Sequence, residues 1–335
     1  MPSYIEFLQH SEAYPHDTGE IILLQTHISY VLLVGGYVYK IKKPVDFGFL
    51  DFTSLAKRKF FCEEELRLNR RLCPDIYLEV VPIKSSDGDF YVGGDLGTTV
   101  EYAVKMQRLP KERMMNRVLS AGDLTQEMLE RIVDKLVPFY QEAASGPEII
   151  KLGSRDSVGE NFRENFRQTE EFIECPALSQ GQFTMLRTYV EGFLAAGEEV
   201  FRQRQETGKI HDCHGDLHSA NICLADKVYI FDCIEFNQRL RYGDVAGDVA
   251  FLAMDLDFHG LPEMSIWFID HFVERSGDSG LHGVLNFYKC YRAYVRGKIG
   301  LFTAQAPEID EIKRVRALEQ AGRYFKLAES YAAAN

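Results

Sequence analysis

At 335 residues, 46% hydrophobic and 26% charged, the chain is long enough for two packed cores in one catalytic unit. A net charge of -12 argues against a broad basic face for duplex nucleic acid, and no charge-free run of about eighteen apolar residues is present to span a membrane. Seven scattered cysteines without repeated spacing fit reduced thiols, and Met1-Pro2-Ser3-Tyr4-Ile5-Glu6 has neither the basic region nor the apolar core of a secretory signal, so a cytoplasmic location is expected.

Three strand-like runs come first: Ile21 to Leu24, Tyr30 to Val34 and Tyr37 to Ile41. Gly35-Gly36 reads as a two-residue hairpin turn with both glycines able to take positive φ. The period of two puts Val38, Lys40 and Lys42 on one face of the third run. Leu55 to Leu72 reads as a helix that ends at Cys73-Pro74, because proline disfavours helix at the residue before it. Val100 to Leu109 is a further strand. Asp123-x-x-Gln126 is placed to cap a helix with an apolar stripe of Leu129, Ile132, Val133, Leu136 and Tyr140. Gly159 to Cys175 reads as a charged surface helix and Gly181 to Gln205 as another, and Met254 and Trp267 read as core. Ile312, Val315, Leu318 and Phe325 are the expected buried face of the C-terminal helix.

The chemistry lies in His214-Gly215-Asp216-Leu217-His218-Ser219-Ala220-Asn221 and the following Phe231-Asp232-Cys233. Ile222 to Leu224 and Val228 to Phe231 flank the turn residues Ala225-Asp226-Lys227, a hairpin signature. Asp216 can accept the proton of an attacking hydroxyl, while Asn221 and Asp232, at the rims of one hairpin, can hold Mg²⁺ against ATP phosphates. Two other readings compete. Asp212, His214, Asp216 and His218 alternate and would form a transition-metal site on an extended strand, which Gly215 opposes. The segment can also be a satisfied polar loop. A Gly-x₄-Gly-Lys-Ser/Thr loop is absent from this sequence.

His-Gly-Asp-Leu-His-x-x-Asn-Ile followed by an apolar-Asp-x-x-Glu segment resembles the aminoglycoside phosphotransferase and choline kinase branch of the protein-kinase-like fold. Arg241 to Ala250 is similar to that family's next block. The whole chain also resembles an uncharacterised bacterial aminoglycoside phosphotransferase-like group, some of whose members are fused to a separate P-loop domain. The resemblance implies an α+β, two-lobed fold. Residues 1–108 would form a nucleotide-gripping lobe of antiparallel sheet and one helix, and residues 109–335 a mostly helical lobe. It implies ATP and Mg²⁺ between the lobes, a small-molecule acceptor, and possible association with a P-loop ATPase or kinase domain. Within it Asp216 is the base, Asn221 and Asp232 are the metal ligands, and His214 supports the loop. Asp248 steadies that loop through backbone hydrogen bonds, with Asp244 as the alternative. Lys40 is favoured over Lys42 as the phosphate lysine, because choosing Lys42 would put Lys40 at the adenine roof. Glu65, with Glu64 close behind, is its partner. Met106 to Pro110, including Arg108, resembles the hinge that bonds adenine through its backbone. Thr26 or Ser29 can serve in a phosphate loop that has no glycine.

The acceptor is not legible from the family. Lys289, Arg292 and Arg296 share a helical face, with Ala293, Gly297 and Gly300 beside them as a small-residue stripe open to a ligand or another helix. They either pair with acidic groups such as Asp244 and Asp248 or face the acceptor and recognise an anion. The alternative function is a nucleotide-binding regulator without turnover. A protein kinase is disfavoured because no Ala-Pro-Glu follows Asp232.

Overall fold

The structure, a computed structural model, describes residues 1–306 and 309–334. The chain divides into two compact units, Met1–Ala121 with Ala220–Gln238 and Gly122–Ser219 with Arg239–Asn335. The fold is α+β, with the sheet in the first unit and mostly helices in the second.

In the first unit six antiparallel strands, β1 (Ile21–Gln25), β2 (Ser29–Val34), β3 (Tyr37–Lys42), β4 (Tyr77–Ser86), β5 (Asp89–Val92) and β6 (Thr98–Gln107), lie in the order β1-β2-β3-β6-β4-β5. Only Gly35 of the β2–β3 turn takes a positive φ, 56°, and a Cβ there would stand 2.8 Å from Asp17 O. Alternation along β3 buries Tyr39 and Ile41 with Leu32, Val34, Ile5 and Leu8. It leaves Val38, Lys40 and Lys42 for the opposite face. The helix Leu55–Asn69 is capped by Ser54, whose hydroxyl accepts from Lys57 N at 3.2 Å. It ends three residues before the expected Leu72, where Arg71 N and Leu72 N bond back three residues to Leu68 O and Asn69 O.

The single boundary expected at residue 108 differs from this division. The segment after it, and the strands Ile222–Leu224 and Val228–Ile230, group with the sheet because long-range bonds hold them there. Cys73 Sγ donates to Ile230 O at 2.9 Å, Cys233 N to Asn69 Oδ1 at 2.9 Å and Arg113 Nε to Leu224 O at 2.7 Å.

In the second unit the helix Gln126–Glu142 buries all five stripe residues, but Thr125 caps it, accepting from Met128 N, rather than Asp123. The helix Arg155–Thr169 buries Val158, Phe162 and Phe166 beneath its charged face. The helix expected over 181–205 is two, Gln180–Ala196 and Glu198–Glu206, broken at Gly197, where a Cβ would meet Phe193 O at 2.7 Å. Met254 is core, whereas Trp267 is half-buried and stacks on His271.

The C-terminal helix Glu311–Ala333 corrects another expectation. Ile312 and Val315 are 67% and 44% exposed, and the buried face is Ala317, Ala321, Tyr324, Phe325, Ala328 and Tyr331. The small-residue stripe explains the change, since it seats this helix against the helix His282–Gln305. A Cβ on Gly297 would lie 2.8 Å from the Phe325 ring, and one on Gly300 2.9 Å from Ala321 Cβ. Gly297→Val is therefore expected to cost about 1–3 kcal/mol by overpacking. Gly283→Ala in the same helix meets no atom within 4 Å and should cost nothing. Chemical denaturation compares them, and equal midpoints would remove the packing role.

Candidate functional site

In the first unit the expected lysine and carboxylates converge. Lys40 Nζ lies 2.8 Å from Glu65 Oε1 and hydrogen-bonds Asp232. Glu65 is fully buried, and Glu64 instead pairs with Arg67 on the helix surface. Lys42 also reaches Glu65, through Oε2 at 2.7 Å, and binds Glu235. Both lysines thus pair with Glu65, and Lys40 is the one that also touches Asp232. Burial pushes the Glu65 carboxyl up, but the two ammonium groups overcome it and hold it well below the usual carboxylate range. Burial likewise opposes charge on Lys40, and Asp232 and Glu65 more than restore it. Asp232 has a φ of 63°, unusual for a residue with a Cβ, and its N–H donates to Tyr77 OH at 3.3 Å.

Asn221 opens the hairpin that Asp232 closes. Phe231 N donates to Asn221 O at 3.0 Å, so the two residues flank the same open end. One amide and one carboxylate are hard oxygen donors and suit Mg²⁺, which takes one or two protein ligands and fills the rest with waters and phosphates. Among the described residues no group of three His, Cys, Asp or Glu side chains is arranged to hold a metal. The alternating Asp212 to His218 reading fails because the strand Ile210–Asp212 stops there and Gly215, at φ 88°, turns the chain.

Arg108 N already donates to Gly36 O at 2.8 Å, so it is not a donor for adenine, and Met106 lies buried between Val38 and Tyr77. Thr26 Oγ1 accepts from Ser29 N at 2.9 Å and closes its own turn, while Ser29 is buried.

In the second unit the loop carrying Asp216 is tied down by its backbone. Asp248, 1% exposed, accepts from His214 N at 2.6 Å and Gly215 N at 2.9 Å. Tyr140 OH donates to the same carboxylate at 3.2 Å. Asp244, the alternative brace, instead caps the helix Val245–Phe258 and binds Arg204. Ser219 N donates to Asp255 at 2.8 Å, which fixes the far side of the loop. His214 is fully buried, with Nδ1 3.3 Å from Asp216 N, and His218 Nε2 lies 3.4 Å from Asp216 Oδ2. Burial pushes the Asp216 carboxyl up, but His218, Arg296 and His214 hold it well below the usual carboxylate range.

The three helix cations separate. Lys289 is buried on Asp257 and Ser265, both at 2.9 Å, which is no position for reading an acceptor. Arg292 donates to Gly215 O at 2.8 Å and Gly247 O at 2.9 Å and lies 3.4 Å from Asp248, so it braces the loop. Arg296 stands over the Tyr324 ring; burial works against its charge, and Tyr324, Asp216 and Asp255 favour it. Of the two readings of Arg292, pairing with Asp248 is the one the structure shows, while sequence reasoning missed Tyr140 and Glu235. Glu235 had a signal, as the last residue of the Asp232-x-x-Glu segment.

No family model matches the chain. Two mycobacterial proteins, the uncharacterised Rv2004c of Mycobacterium tuberculosis and Mb2027c of Mycobacterium bovis, are each 31% identical over 284 residues, 84% of this chain and 55% of their own length. The chain therefore spans about half the length of the curated relatives it matches. Among solved structures, the GDP complex of wild-type aminoglycoside 2'-phosphotransferase-IIIa superimposes with a TM-score of 0.58 at 14% identity, covering 100% of both chains. Amicoumacin kinase hAmiN in complex with AMP-PNP, Ca²⁺ and Ami gives 0.54 at 11% identity, covering 97% of this chain and 94% of that one. The chain has the protein-kinase-like fold, in the form found in aminoglycoside phosphotransferases.

Proposed function

We propose that the protein is a small-molecule kinase that transfers the γ-phosphoryl group of ATP to an acceptor hydroxyl. The observation that carries this reading is Lys40, held between Glu65 and Asp232, in a chain whose hairpin presents Asn221 beside Asp232. Mg²⁺ bound by Asn221 and Asp232 would neutralise charge building on the phosphates. Lys40 gives its ammonium donors to phosphate oxygens. Asp216, fixed by the Asp248 bonds, orients the acceptor hydroxyl and takes its proton. Most of the rate comes from positioning and charge neutralisation, because phosphoryl transfer asks for little covalent help from protein. ATP with Mg²⁺ is expected to raise the melting temperature by preferential binding to the folded chain. Lys40→Ala and Asp232→Ala should each diminish that rise, and an unchanged rise in both would place the nucleotide elsewhere.

The acceptor in this reading is neutral or anionic. Support comes from Arg296, whose charge acts on the proposed base, and guanidinium suits carboxylate or phosphate. A panel of aminoglycosides against neutral and anionic hydroxy compounds, followed by ATP consumption, tests it. Turnover of kanamycin-like compounds with kcat/KM of about 10⁴ M⁻¹s⁻¹ or above would overturn this acceptor class.

A further inference from the structure

The second lysine of β3, Lys42, has no part in that reading. Lys42 is fully buried over the Phe52 ring, and its Nζ joins Glu65 to Glu235. Charges alternate along a single line: Asp232, Lys40, Glu65, Lys42, Glu235. Buried charges hold such an arrangement only while each is compensated. When nucleotide phosphates draw Lys40 donors away, Glu65 loses part of its compensation. With Lys40 as its sole cation, that carboxylate would compete with phosphate for the ammonium. Lys42 removes the competition by keeping Oε2 of Glu65 occupied, and Glu235 balances Lys42 from the other side.

We propose that Lys42 and Glu235 are positioning residues for nucleotide binding: they keep Glu65 compensated, so that Lys40 can exchange Asp232 for phosphate oxygens. This rests on the kinase reading above and extends it to two residues that touch no substrate. The experiment removes one charge of each sign, as Lys42→Met/Glu235→Leu. Lys42→Gln/Glu235→Gln keeps polar side chains at both positions in case the apolar pair does not fold. ATP·Mg²⁺ affinity is measured by calorimetry, and KM and kcat by ATP consumption. Either folded pair should raise the ATP Kd and KM about tenfold, within the range for residues coupled in one ion-pair network, while kcat stays within about threefold. Lys42→Arg, which keeps the charge, should recover most of the affinity. A lowered melting temperature and lowered kcat with unchanged Kd would mean a merely structural role and overturn the proposal alone. Wild-type protein that fails to bind ATP would overturn the kinase reading, and this inference with it.

Discussion

Asp216→Asn is expected to leave ATP binding nearly intact and to reduce phosphoryl transfer by about 10²-fold or more, the range of a lost general base. Asn keeps the size of the side chain and its hydrogen bonding but cannot take a proton. Neither the metal ligands nor Lys40 changes, so the ATP-induced rise in melting temperature should persist. The acid side of the rate profile follows from the direction of the Asp216 shift. A carboxyl held below its ordinary value is already ionised above about pH 4, so it contributes no acid limb between pH 4 and 7. Transfer by Asp216→Asn within about tenfold of wild type would remove the assignment. Wild-type protein that binds ATP without transfer or hydrolysis, against a broad acceptor panel, would favour the regulator instead.

Local chemistry made the hairpins and the Asp216 loop legible. Gly35 is needed for a tight turn, and Gly215 for a left-handed one just ahead of the proposed base. The β3 face was also legible, because a strand's period of two admits few alternatives. Choosing between Lys40 and Lys42 was not, since both share that face and a carboxylate has two oxygens to offer. The C-terminal helix was misread for a related reason. Apolar bulk suggested Ile312 and Val315 as the buried face, but close helix approach selects small residues, and Gly297 and Gly300 accept Phe325 and Ala321. Whether Arg292 meets an acidic partner or a ligand stays open in the sequence, because helical spacing reports a shared face and never what that face meets. Its partners, Gly215 and Asp248, lie 77 and 44 residues away in sequence. The hairpin's grouping with the sheet likewise depends on bonds from Asn69, Cys73 and Arg113 that no local pattern announces.

Asp248→Ala is expected to show the largest loss of stability in the second unit. The carboxylate is buried and accepts from two backbone N–H groups and the Tyr140 hydroxyl, with the Arg292 guanidinium beside it. Removing it leaves His214 N and Gly215 N without this acceptor and Arg292 without its counter-charge. Breaking a buried ion pair from one side costs about 3–5 kcal/mol. In a unit of this size that lowers the melting temperature by about 10 °C. Asp248→Asn is the more discriminating variant, because the amide keeps one acceptor oxygen for the loop but turns an NH₂ toward the second backbone donor. It should fold, with a smaller drop in melting temperature, yet lose kcat by at least about tenfold because the proposed base is no longer held in place. ATP affinity should be unaffected, since neither Lys40 nor Asp232 depends on this carboxylate. Wild-type kcat in Asp248→Asn, at wild-type melting temperature, would show that the loop keeps its shape without the brace.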